Sequence, residues 1–102
     1  MSRLQDSARQ IVRSNETIAD SFYQRKTGAR QMLPNVMKQL VLLTELMVQD
    51  NKITSDPEFA QKMSAWNRKF TMLSEAVQGD DDILIADILH HEIDSCLEGW
   101  II

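Results

Sequence analysis

A single cysteine, Cys96, leaves this chain unable to close an internal disulfide, which agrees with a reducing compartment. Paired-cysteine motifs are excluded by the same count. Long apolar runs are also missing. The longest, Leu40 to Leu43, is far too short to span a bilayer, and the N-terminus has no apolar signal-like region. A cytoplasmic location with no membrane association is the expectation. There is no glycine-rich phosphate loop, no strand pattern that would carry a nucleophile elbow, and no repeat or low-complexity segment. Enzymatic equipment and a cofactor site are therefore not expected.

What is present is helical periodicity. The length of 102 residues suits one domain, 1–102, with one core, and apolar and charged fractions of 43% and 25% are close to globular averages. Leu4, Ala8, Ile11, Asn15, Ile18 and Phe22 step by four and three and predict a first helix over about 2–26, capped by Ser2 and stopped by Thr27 and Gly28 in a left-handed C-cap. Asn15 is the polar seat on that stripe. Burial of an unpartnered amide costs about 1–3 kcal/mol, so Asn15 is expected near water, at the end of a tilted contact, rather than in the core as a register-fixing polar residue.

The second helix, about 30–50, has Pro34 near its start, so either regular helix begins near Leu33 or a turn over 29–33 is kinked there. Its stripe (Leu33, Val36, Met37, Leu40, Leu43, Met47) is widened by Val41, Leu42, Leu46 and Val48. Such width implies either a central helix or an exposed part, around Leu42 and Leu46, kept for a partner. Ser55-Asp56-Pro57-Glu58 reads as a capping box opening a third helix over about 55–78, on which Phe59, Met63, Trp66, Phe70, Leu73 and Val77 form an aromatic-rich seam. Gly79 ends it, and Asp80 or Asp81 caps a fourth helix over about 81–99 whose expected stripe is Ala86, Leu89, Ile93, Cys96 and Trp100. Short links between four such helices predict an all-α, up-down-up-down four-helix bundle. The apolar end, Trp100, Ile101 and Ile102, either closes the bundle or docks on another molecule.

Charge is segregated along the chain. Residues 1–30 carry six cations against three anions, whereas residues 31–102 carry five cations against twelve anions. Complementary flanks on neighbouring helices explain this better than nucleic-acid binding, because the arginines are spread around the first helix with no interleaved aromatic platform. One constellation resembles a site: Asp87 with His91, and His90 with Asp94, are four apart on the fourth helix. Imidazole and carboxylate one turn apart are able to share a metal ion; ordinary surface ion pairs are the plainer reading. Cys96, on the apolar stripe among carboxylates, reads as a small hydrophobe rather than a nucleophile.

Gly79, Asp80, Ile83, Leu84, Ala86, Asp87, Leu89, Glu92, Leu97 and Trp100 resemble the C-terminal pattern of a family of small, all-helical, uncharacterised proteins of Gram-positive bacteria, and the layout around Ala19 and Phe22 fits it. That resemblance implies a fold and carries over no functional residues. In size and acidity the chain is also similar to flagellar and secretion export chaperones. The function expected is a non-enzymatic module, dimeric or bound to a partner protein through Leu42, Leu46, Trp100, Ile101 and Ile102. The alternative is a small metal-binding or metal-sensing protein using Asp87, His90, His91 and Asp94.

Overall fold

The structure, a computed structural model, describes residues 3–101, and among these residues it is all helix and turn. The elements are α1 (Arg3–Tyr23), a 3-10 turn (Ala29–Met32), α2 (Leu33–Gln49), a one-turn α3 (Asn51–Thr54), α4 (Phe59–Gln78), α5 (Asp82–Asp87), a π turn (Ile88–Ile93) and α6 (Asp94–Trp100). The last three follow one another without a break and act as a single C-terminal rod.

Helix α1 buries every residue of its expected seam, Asn15 included. The position expected for its cap, Ser2, lies outside the described residues. Its end differs from expectation. Helix stops at Tyr23 because Arg25, not Gly28, takes the left-handed conformation (φ 54°): the Arg25 N–H donates to the Phe22 carbonyl (3.0 Å) and the Lys26 N–H to the Ser21 carbonyl (2.9 Å). These two bonds satisfy carbonyls that a helix end otherwise leaves open. Gly28 is left-handed as well (φ 88°), but it opens the 3-10 turn that precedes α2. At Pro34 the first of the two alternatives holds: regular helix begins at Leu33 with the proline in its first turn, after a 3-10 turn over Ala29–Met32.

Helix α3 was not legible in the sequence. Asp50 ends α2 and its carboxylate immediately accepts from the N–H groups of Lys52 (2.9 Å) and Ile53 (3.2 Å), starting another turn of helix. The capping box expected over 55–58 consequently does not form. Ser55 closes α3 by donating to the Lys52 carbonyl, Asp56 accepts from the Glu58 N–H and from Lys62 Nζ, and α4 begins at Phe59 with no side-chain cap. At the other end of α4 the left-handed residue is Asp80 (φ 55°) rather than Gly79 (φ −82°). The Asp80 and Asp81 N–H groups donate to Val77 and Ala76, and Asp81 caps α5 by accepting from the Leu84 N–H.

Helix directions follow from pairs that run in opposite order along the chain. Gln5 donates to the Ile101 carbonyl, Asn15 to Asp94 and Tyr23 to Asp87, so α1 lies antiparallel to the C-terminal rod. Phe59 stacks in tilted fashion on Trp100 (6.4 Å) and Lys69 pairs with Glu92, so α4 is antiparallel to that rod too. Trp66, fully buried, donates from Nε1 to Thr44 Oγ1 (2.8 Å) and joins α4 to α2. The core these helices share is aliphatic, built from Ile11, Leu40, Leu43, Met47, Leu73, Ile85, Leu89, Ile93 and Leu97 around Phe22 and Trp66.

Candidate functional site

The π turn decides which residues of the rod face inward. A π turn holds one more residue than the α turn it replaces, so each seat on the stripe passes to the next residue along the chain. Before the turn Ala86 and Leu89 are buried as the spacing predicts. After it Asp94, Leu97 and Ile101 occupy the seats expected for Ile93, Cys96 and Trp100, although Ile93 stays buried beside them. Cys96 and Trp100 are left half-buried at the edge. The expected C-terminal stripe is thus buried through Ile93 and one residue out of register at Cys96 and Trp100.

An aspartate is thereby brought into the core. The Asp94 side chain is 4% exposed, and its Oδ1 accepts from Asn15 Nδ2 (2.9 Å), which explains why Asn15 is buried instead of lying near water. The amide of Asn15 needs a partner and the carboxylate supplies one. Burial pushes the Asp94 carboxyl up to about 7; the Asn15 hydrogen bond and His90 pull it down, and Glu16 and Glu98 add to the rise. The second oxygen, Oδ2, and His90 Nδ1 are both buried without a hydrogen-bond partner and face each other at 3.9 Å. Glu16, exposed on α1, brings a carboxylate to the same place, and single ligand atoms of Glu16, His90 and Asp94 lie within 4.8 Å of one another.

The other residues of the expected metal cluster go elsewhere. Asp87 accepts a short hydrogen bond from the Tyr23 hydroxyl, which pushes the phenol up to about 12. His91 is exposed and touches His90 ring to ring (4.5 Å, tilted 58°). Of the four residues Asp87, His90, His91 and Asp94, the structure brings together His90 and Asp94. Glu16 was missed, and the available signal was its neighbour Asn15, the polar residue on an apolar stripe.

The residues expected to meet a partner separate into two places. Leu42 is 43% exposed and Leu46 half-buried, and both line a cleft of about 700 Å³ between α1 and α2. Ile11, Val36 and Leu43 form its apolar floor, and Ser7, Gln10 and Ser14 its polar α1 wall. At the other end of the chain Ile101 is buried and Trp100 half-buried against Phe59, so the apolar C-terminus packs on its own helices; Ile102 lies outside the described residues.

The whole chain, residues 1–102, matches the family described as a domain of unknown function, DUF8042. It belongs to that family. No curated protein and no solved structure matches it.

What this DUF8042 chain can do chemically is bounded by these groups. Burial raises the Cys96 thiol, which keeps it protonated and a poor nucleophile. Two carboxylates of the rod are met by cations from two other elements: Arg30 bonds Asp82 (2.6 Å), and also Asp80 just before the rod (2.9 Å), and Lys69 bonds Glu92. No described helix is long and apolar enough to cross a membrane. Features left without an internal explanation among the described residues include the α1/α2 cleft, the facing His90 and Asp94 atoms and the buried, unpartnered Trp100 Nε1.

Proposed function

We propose that this DUF8042 chain is a non-enzymatic interaction module. It is a cytoplasmic bacterial four-helix bundle of up-down-up-down topology that takes an amphipathic helix of a partner protein into the α1/α2 cleft, in the manner of an export chaperone or adaptor. The antiparallel contacts of α1 and α4 with the C-terminal rod support the topology. The cleft is the observation that carries the function. It runs from Arg3 to Asn15 on one side and from Asn35 to Gln49 on the other. At 1.5 Å per residue that is about 20 Å, the length of a helix of roughly 13 residues. Its floor is aliphatic and its rim holds one cation and one anion, Arg3 and Glu45. An occupant with aliphatic anchors at i, i+4 and i+7 and little net charge suits those walls better than a charged peptide.

The test joins capture to direct binding. Wild-type chain and the Leu42→Asp/Leu46→Asp variant are exposed to host extract, and the helix of any protein lost by the variant is made as a labelled peptide. The reading expects that peptide to bind wild type and to lose at least about tenfold in affinity on the variant, since each charge is placed against an apolar anchor. Equal binding to both forms removes the cleft as the site. Light scattering that shows a dimer abolished by the same variant replaces the partner helix with a second copy of the chain.

A further inference from the structure

We propose that Glu16, His90 and Asp94 form a binding site for a divalent cation of the zinc class, built across α1, the π turn and the first residue of α6. Three observations converge on it, and none depends on the cleft. The ligand atoms of the three residues lie within 4.8 Å of one another although they come from two helices. Two of those atoms, Asp94 Oδ2 and His90 Nδ1, are buried, unpartnered and aimed at each other across 3.9 Å, too far for a hydrogen bond. A cation between them satisfies both at once. Metal–nitrogen and metal–oxygen bonds of about 2.0–2.2 Å place neighbouring tetrahedral ligands about 3.4 Å apart, so the gap has to close by roughly half an ångström.

The third observation is the support behind the ligands. Asn15 donates to the other oxygen of Asp94 (2.9 Å) and holds the carboxylate with Oδ2 toward His90, the kind of outer contact that fixes metal-ligating groups. The π turn itself is what brings Asp94 inward; an unbroken α-helix presents Ile93 there instead. One imidazole with two carboxylates and no thiolate favours zinc, manganese or ferrous ions over copper(I), and the nitrogen disfavours magnesium and calcium. Glu16 and Glu98 add negative charge around Asp94, which a dication offsets. With Glu16 exposed, a further coordination position is open to water. The competing arrangement is a protonated Asp94 donating from Oδ2 to His90 Nδ1, which needs no ion.

Chelator-stripped full-length chain titrated with zinc chloride distinguishes the two, with bound metal, heat of binding and thermal midpoint as readouts. The expected result is about one zinc ion per chain with a raised midpoint. Glu16→Gln, an exposed substitution that leaves the core alone, and His90→Gln are each expected to weaken binding at least about tenfold, while His91→Gln leaves it unchanged. A magnesium excess of roughly hundredfold should not displace zinc. Absence of stoichiometric uptake by the folded chain at micromolar zinc overturns the proposal, as does uptake that His91→Gln abolishes and Glu16→Gln does not.

Discussion

Asn15 and Asp94 are a pair whose parts were visible in the sequence and whose meeting was not. A lone amide on an apolar stripe announced that something polar must come to it, but the seat opposite belonged, by α-helical spacing, to Ile93. The consequence is measurable through pH. The Asp94 carboxyl, raised to about 7 in the fold from an ordinary value of 3.8, binds its proton more tightly folded than unfolded. Its stabilising contribution is therefore complete below about pH 4 and is lost as pH rises through 7, with a full swing of up to about 4 kcal/mol. Glu16 on α1 and Glu98 on the rod face the same carboxyl and enlarge that swing, whereas the Asn15 amide and His90 reduce it. In chelator-treated buffer, Asp94→Asn is expected to unfold at higher urea than wild type at pH 8 and at nearly equal urea below about pH 4. A difference that is constant with pH rejects the account. Tyr23 offers a second residue-scale check because it is the only tyrosine in the chain. Its phenol, held to about 12 chiefly by the Asp87 acceptor, should ionise near 10 once Asp87→Asn removes that charge, as read by absorbance near 295 nm in each folded protein.

Elements that rely on spacing alone were legible, whereas those that depend on which local hydrogen bond wins were not. The seam of α1, the turn before Pro34 and the Asp81 cap follow their sequence signals. Helix ends do not, because non-glycine residues at Arg25 and Asp80 took left-handed positions that glycines nearby could have filled. That leaves strain in place at Arg25. Arg25→Gly removes a side-chain clash that costs L-residues roughly 1–2 kcal/mol at positive φ, partly offset by the freer unfolded chain. It should raise stability by about 0.5–1 kcal/mol in urea unfolding. The π turn makes a stronger forecast. Since it is an inserted residue, removing His91 restores α-spacing while Asp94, Leu97 and Ile101 keep their inward seats. Such a deletion should fold and stay within about 1 kcal/mol of wild type. Deleting Ser95, beyond the turn, moves Leu97 and Ile101 out of their seats and should cost several kcal/mol, in line with lost core burial. Equal penalties for the two deletions would show that the rod has no register to protect.

At the scale of the whole molecule, the segregation of charge along the chain predicted that basic and acidic segments meet, and Arg30 of the basic segment does bond Asp80 and Asp82 of the acidic one, while the Lys69–Glu92 pair lies within the acidic segment. What sequence could not decide was how much of the wide α2 stripe is covered, because periodicity reports which residues share a face and not how many neighbours that face has. In the folded chain Leu43 is 1% exposed while its neighbour Leu42 is 43% exposed on the rim of the cleft. Leu43→Ala should therefore cost about 2–5 kcal/mol, the range for a truncated core leucine. Leu42→Ala should change stability by no more than about 0.5 kcal/mol, as for a surface substitution. Chemical unfolding at two protein concentrations reads both effects. If Leu42→Ala costs as much as Leu43→Ala, and the cost grows with concentration, then another copy covers the rim in solution. A small and concentration-independent effect leaves the cleft free for a different occupant, because stability linked to association rises with the concentration of the associating species.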